Sequence, residues 1–374
     1  MSAIYFHIPF CKRLCGYCDF FKSVKLHYLQ PTLEVMEREL IAERSFLTDH
    51  NIETIYFGGG TPSLVDPAAI KHLIDVVKGH YCVESLSEVT LEVNPDDISH
   101  SYLEGLRAAG VNRLSIGIQS FDDEELRFMN RRHNGAQAVE AVRLAQSVGF
   151  DNITIDLIFG VEGFGVDILE RSLSMALSLG VQHISAYHLT IESGTPFARR
   201  VAKGDFKAVD DSISQIEYAL IDKVLTAANF EHYEVSNYAL SGYHSRHNSS
   251  YWQGVQYLGI GPGAHSYNGL QRRYVEGSIE SYLKQSECIY QVEELSMIDR
   301  YNEYVMTSLR CCEGVDLEYM RGVFPSWIYA FMLDAANNWL VEGKLCCERG
   351  RLYIPIKHFM ISDLIIESLF YCSV

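Results

Sequence analysis

Cys11, Cys15 and Cys18 fall within eight residues, spaced C-x3-C-x2-C, directly after the apolar run Ile4-Tyr5-Phe6-His7-Ile8. Thiolates so close in a short loop can converge on one metal centre. Structural zinc takes four closed ligands, and only His7 lies near enough in sequence to add one. Iron–sulfur clusters are ordinarily held by four cysteines. Position 20, where a fourth could follow, is Phe20. A cubane on three thiolates keeps one iron open for a small chelating ligand. The alternative without chemistry is three thiols buried as small hydrophobes.

The elements around this loop predict what positions it. The run before Cys11 reads as a strand. A helical pattern over 28–49 carries Leu29, Leu33, Met36, Leu40 and Phe46 at apolar spacing. Strands are then expected at 54–57, 89–93, 113–119, 153–159 and 183–189. Helices are expected at about 67–78, 101–109, 122–129, 136–148 and 166–179, with Gly149 a stop signal. Six strand–helix units imply a parallel sheet with right-handed crossovers, and the apolar, β-branched strands suit a sheet covered on both faces. The fold class is α/β, a partial parallel (β/α)6 barrel.

Such barrels carry their sites at the carboxyl ends of the strands. Those ends read Cys11–Cys18, Gly58–Thr61, Glu92 with Asn94, Gln119, Asp156 and His188. Every strand delivers a polar or glycine signal, as the rim of one site would. Gly58-Gly59-Gly60 lets backbone approach a ligand. Glu92 and Asp156 could accept from hydroxyls or an amino group, Gln119 could donate and accept, and Arg131 could fork onto a carboxylate. The glycines could equally form a plain turn, and each acid could be a helix cap or ion-pair partner.

With 31 Lys+Arg against 48 Asp+Glu, the net charge of −17 argues against nucleic-acid binding, which depends on basic surface. The ten cysteines do not form a small secreted disulfide scaffold. The N-terminus shows no signal-peptide pattern, and no apolar stretch approaches the roughly 18 residues of a membrane span. These features predict a cytoplasmic protein, leaving peripheral membrane contact and a homodimer open. The pairs Cys311-Cys312 and Cys346-Cys347 read as ordinary half-buried positions.

Past the barrel, expected over 1–228 and ending in a helix at 210–228, the stretch 229–275 reads as accessory strands and loops rich in Tyr and Gly. Over 276–374, helices at 278–290, 297–311, 316–322 and 326–342 precede a hairpin at 344–354 and a last helix at 360–370. That order predicts a winged-helix-like α-rich domain, with packing or protein contact favoured over DNA by the acidic charge.

The cysteine spacing, with Tyr17 before Cys18, resembles the radical-SAM superfamily. Tyr5–Cys11, Phe57–Ser63, Leu91–Pro95, Ser115–Ser120 and Asp156–Gly160 resemble its coproporphyrinogen dehydrogenase-like branch, over almost the whole chain. The resemblance implies a [4Fe-4S] cluster on Cys11, Cys15 and Cys18. It also implies S-adenosyl-L-methionine held by Tyr5, Gly59, Gly60, Thr61, Glu92, Gln119, Arg131 and Asp156. One departure is Val161-Glu162-Gly163, where the branch continues Leu-Pro-Gly after the residue matching Gly160.

That branch holds an oxygen-independent coproporphyrinogen III oxidase and a haem-chaperone type. The oxidase carries a further cysteine two residues after the third, where this chain has Phe20, and an N-terminal arm ahead of the cluster. His247-Asn248-Ser249-Ser250-Tyr251-Trp252 is similar to the H-N-x-x-Y-W signature of the chaperone type. By that resemblance His247, Asn248, Tyr251 and Trp252 bind haem, and the partners are haem and haem-accepting proteins. His244 and His265 compete as ligands, and the motif could instead brace a loop or supply core aromatics. The expected function is haem binding and delivery. The alternatives are the oxidase, decarboxylating propionate side chains, and a radical-SAM enzyme on another substrate. Whether the chain is an enzyme is left open.

Overall fold

The computed structural model of the chain describes residues 1–275, 277–284 and 290–372. Twelve strands form its main sheet: β1 Ser2–Ile8, β2 Ile52–Gly59, β3 Glu88–Val93, β4 Arg113–Gln119, β5 Ile153–Phe159, β6 His183–His188, β7 Glu231–Glu234, β8 Asn237–Ala239, β9 Gln256–Ile260, β10 His265–Tyr267, β11 Gln271–Val275 and β12 Tyr290–Glu294. The first six lie side by side in chain order, all parallel. β9 adds parallel to β1, and β10, β11 and β12 continue that edge antiparallel. β8 and β7 extend the β6 edge. Among the described residues no pairing joins the two edges, so the six-strand barrel is open, as expected.

The six parallel strands alternate along most of their length, Ala3 of β1 and Ile158 of β5 being apolar exceptions, and this corrects the expectation of two apolar faces. Ile4, Phe6 and Ile8 of β1, Val89, Leu91 and Val93 of β3, Leu114, Ile116 and Ile118 of β4, and Ile153, Ile155, Leu157 and Phe159 of β5 share one core with helix residues such as Met36, Leu40, Ile70 and Leu73. The intervening side chains point to the concave side and are polar: Thr54 and Tyr56, Thr90 and Glu92, Arg113 and Ser115, Thr154 and Asp156, Ser185 and Tyr187. Register sets them in rows, with Tyr5 opposite Tyr56, Tyr56 opposite Thr90, and Thr90 opposite Arg113. A period of two in the strands thus builds an apolar outside, closed by helices, and a polar inside.

The crossover helices start on side-chain caps. Asp66 accepts from the Ala68 N–H at 2.8 Å before Pro67–His80, and Ser99 caps His100–Ala109. Asn134 and Gln137 form a reciprocal capping box at Gly135–Ser147.

The C-terminal region runs helix Met297–Leu309, β13 Val315–Asp316, helices Leu317–Val323 and Ser326–Val341, then the hairpin β14 Cys346–Glu348 and β15 Arg351–Tyr353. β15 pairs with both β13 and β14, giving the three-stranded wing of a winged-helix order. Its apolar residues join the main core, which reaches from Ile4 to Leu369. Three expectations are corrected. The helix expected at 278–290 spans Ile279–Lys284; residues 285–289 lie outside the described residues, and Tyr290 opens β12. The last helix is shorter, Ser362–Ser368, after a 3-10 stretch Ile356–Ile361. The H-N-x-x-Y-W segment, expected among strands and loops, is the helix Arg246–Trp252.

Candidate cofactor site

The loop after β1 is braced on both flanks. The Cys11 N–H donates to the Ser23 carbonyl at 2.9 Å, and the Ser23 N–H returns a bond to Pro9. Gly16 donates to the Met129 carbonyl at 3.1 Å and accepts from the Phe197 N–H at 2.9 Å. Asn130 Nδ2 donates to the Leu14 carbonyl at 2.7 Å. Met129 and Phe197 belong to a small apolar cluster with Leu126, Ile158 and Phe206, so the loop rests on a packed base.

One cavity of about 430 Å³ opens above this loop at the carboxyl ends of the strands. Cys11, Cys15 and Cys18 line it, with Gly59, Gly60, Thr61, Glu92, Gln119, Arg131 and Asp156. Every strand end singled out in the sequence reaches this wall, His188 included. Tyr5 does not line it. Its hydroxyl is bonded to His7 Nδ1 at 3.0 Å, and its ring stacks on Tyr56 at 6.0 Å.

The cavity wall is a network of buried polar groups. Glu92 accepts from the Tyr56 hydroxyl at 2.9 Å and from the Gly59 N–H at 3.2 Å. Burial raises its carboxyl to about 7, with the charge of Asp156 adding to the shift. Burial likewise lifts Asp156 to about 6, against hydrogen bonds from Ser185 and Ser115 and the charge of Arg113. Arg131 donates to Asn94 Oδ1 at 2.8 Å, to the Gly117 carbonyl, and to Cys15 Sγ at 3.4 Å. Thr61 Oγ1 lies 3.5 Å from Cys11 Sγ. Burial pushes the Cys11 and Cys18 thiols up.

Three cysteine thiols lining one cavity are a donor set that an iron–sulfur cluster could take. Among the described residues no three His, Cys, Asp or Glu side chains are grouped to hold one metal ion. A cubane asks less convergence, because each thiolate meets a different iron. His7 is not available as a fourth ligand: Tyr5 occupies Nδ1, and Nε2 is bonded to the Phe21 carbonyl at 2.9 Å. The glycine run is demanded by the chain's own packing and leaves Gly59 and Gly60 bare at the cavity wall. A Cβ on Gly60 would stand 2.8 Å from the Phe10 carbonyl oxygen, and Gly59 holds a φ of 109° that glycine alone adopts readily. The carboxylates of Glu92 and Asp156 and the Arg131 guanidinium match an amino-acid ligand carrying a ribose.

The H-N-x-x-Y-W helix packs against the same inward face of β2 that carries Thr54 and Tyr56. His247 is 1% exposed. Its Nδ1 is bonded to Thr54 Oγ1 at 2.8 Å and its Nε2 to the Tyr251 hydroxyl at 2.9 Å. Buried Glu88 accepts from the Arg246 and His247 N–H groups at 2.9 and 3.1 Å. Of the four motif residues only Asn248 lines the cavity. Trp252 is half-buried, its indole N–H without a hydrogen-bond partner among the described residues. His265 is exposed and stacks on Tyr274 at 5.1 Å, while His244 is bonded to Glu231 at 2.7 Å. The cavity wall also holds Tyr56, Arg113, Ser115, Ser185 and Tyr187, which were not singled out from the sequence. Their signal was the alternation inside each strand.

The model for the Radical SAM superfamily matches residues 5–176. A heme chaperone HemW of Mycobacterium tuberculosis is 34% identical over 357 residues, covering 93% of this chain and 92% of the relative. A heme chaperone HemW of Bacillus subtilis is also 34% identical, over 92% of this chain and 93% of its own length. Among solved structures, the coproporphyrinogen III oxidase HemN of Escherichia coli, a radical SAM enzyme, superposes with a TM-score of 0.84 over 99% of this chain and 90% of that one, at 22% identity, a likeness of fold. No described helix is long and apolar enough to cross a membrane. The chain belongs to the HemW family of the radical SAM superfamily.

Proposed function

We propose that this protein binds haem and hands it to haem-accepting proteins, with a [4Fe-4S] cluster and S-adenosyl-L-methionine held in the strand-end cavity. The observation that carries the haem reading is near full-length identity of about one third to relatives named heme chaperone HemW. In this reading Cys11, Cys15 and Cys18 hold the cluster. Gly59, Gly60, Thr61, Glu92, Gln119, Arg131 and Asp156 surround S-adenosylmethionine. Tyr5 acts from behind, through its stack on Tyr56. When bound, such a cluster supplies reductive chemistry toward S-adenosylmethionine; the protein supplies binding and orientation.

The haem contacts are assigned to the cavity mouth. Iron ligation by His247 requires breaking its bond to Thr54 or to Tyr251, in a site with almost no solvent contact. His188 is exposed and lines the cavity with Phe20 and Tyr187, which are 64% and 41% exposed. Its Nε2 is bonded to Ser214 at 2.8 Å, which leaves Nδ1 for a ligand. Burial lowers its pKa, favouring the neutral imidazole that iron binds. Phe20 and Tyr187 offer flat apolar area to a macrocycle, and Arg13 and Lys22 at the same cavity offer charge to propionates, whereas Arg132 is paired with Asp96 and Asp97.

The test is to give anaerobically reconstituted protein haem and coproporphyrinogen III separately. A haem Soret band without carbon dioxide release supports the chaperone. Carbon dioxide release from coproporphyrinogen III replaces it with the oxidase.

A further inference from the structure

We infer that the H-N-x-x-Y-W helix serves the cofactor cavity as its inner support, and that His247 is a positioning residue for Glu92, acting through Tyr56. This rests on the reading that the cavity binds S-adenosylmethionine.

The helix is fixed where its motif begins. Glu88, 3% exposed at the start of β3, takes two backbone N–H groups of the helix's first turn, and Thr54, 2% exposed on β2, takes the imidazole. Thr54 and Glu88 are register partners, so two adjacent strands grip one helix. Tyr251, one turn after His247, closes the other side of the ring through its hydroxyl. The imidazole is thereby held from both nitrogens, in a plane set by its neighbours.

That plane stacks on Tyr56, with ring centroids 4.9 Å apart and 27° between planes. Tyr5 flanks both rings, 6.0 Å from Tyr56 and 6.3 Å from His247. The Tyr56 ring is thus oriented by the stacks on His247 and Tyr5 and by its hydroxyl bond to Glu92. Glu92 in turn fixes the Gly59 N–H at the glycine turn. A line of contacts therefore runs from Tyr251 through His247 and Tyr56 to the carboxylate and the amide that face the cavity. Burial lowers the His247 pKa to about 3, so the ring stays neutral and its two hydrogen bonds persist across the working pH range.

Calorimetry of S-adenosylmethionine binding to the anaerobically reconstituted full chain tests the relay. His247→Ala should weaken binding about tenfold, the scale of one hydrogen bond to a charged group. In a Glu92→Ala background, adding His247→Ala should cost nothing more, because a residue acting through Glu92 has nothing left to act on. A merely structural loss would add in both backgrounds and overturn the inference. Tyr56→Phe, which removes one hydroxyl and leaves the motif intact, should reproduce the loss even where His247→Ala fails to fold; unchanged affinity there overturns it too. Hydrogen exchange on cofactor-free protein gives a second readout: the Gly59 amide should exchange faster in Tyr56→Phe, and equal rates contradict the relay. Failure of the wild type to bind S-adenosylmethionine, or binding indifferent to Glu92→Ala, would remove the cavity reading itself, while binding weakened by Glu92→Ala but indifferent to His247→Ala and Tyr56→Phe removes only the relay.

Discussion

The Tyr56 hydroxyl donates to Glu92 Oε1 at 2.9 Å, from one strand of the barrel interior to the next. The bond holds a carboxyl that burial would rather keep neutral, and it does so at the entrance to the glycine turn.

A pH dependence follows. Glu92 is raised to about 7 in the folded chain, against about 4.3 for an unfolded glutamate. A carboxyl raised on folding favours the folded state in full below its unfolded value. That contribution is lost as pH climbs through about 7. Glu92→Gln carries no charge to bury, so cofactor-free Glu92→Gln should melt about 2–4 °C above wild type at pH 8, with the gap closing by pH 5. Thermal scans at the two pH values check this. A lower melting temperature than wild type at pH 8 would show that the Tyr56 and Gly59 bonds outweigh the desolvation.

Iron content should depend on all three cysteines. Anaerobic reconstitution should give about four irons per chain. Cys15→Ala should retain little of that, although Cys15 is only half-buried and its loss should barely change the fold. Full iron content in Cys15→Ala would mean that the metal lies elsewhere.

Gly60→Ala should be costly for a backbone reason. The new Cβ would press on the Phe10 and Ile8 carbonyl oxygens at 2.8 and 2.9 Å, where the neighbours are main chain and cannot rotate away. A loss of about 1–3 kcal/mol of stability, the range for overpacking, should appear as a lower urea midpoint, with weakened S-adenosylmethionine binding. An unchanged midpoint would show that the turn has room the geometry does not reveal.

Haem binding should follow His188 rather than His247. His188→Ala should lower haem affinity by about tenfold or more, on the scale of a lost anchor, while His247→Ala should keep the Soret band. The opposite pattern in a haem titration would move the ligand to the motif helix and require that helix to open.

Much of this site was legible in the sequence because each signal falls at a strand end, where a polar residue interrupts an apolar run. Cys11–Cys18, Gly58–Thr61, Glu92, Gln119 and Asp156 were found in that way, and two strands, Arg113–Gln119 and Ile153–Phe159, have the expected bounds. Arg113, Ser115 and Ser185 were missed because they alternate with Leu114, Ile116 and Ile184 inside strands whose dominant feature is apolar content. The two-residue period in V-T-L-E-V and R-L-S-I-G-I-Q was the available sign of a polar interior. The motif was harder. His-Asn and Tyr-Trp look like ligand and stacking residues in one dimension, but their partners Thr54 and Glu88 lie 193 and 159 residues away. No local pattern announces such a pairing. The strand at Tyr290–Glu294 was hidden for the same reason, since it is defined by its partner Gln271–Val275.

The most direct test of the proposed function is haem transfer. Haem-loaded protein, mixed with the haem-free form of a haem enzyme, should lose its Soret band while the enzyme regains activity, in step and without free haem as intermediate. Retention of haem by the loaded protein, with the acceptor still inactive after prolonged mixing, would contradict a chaperone.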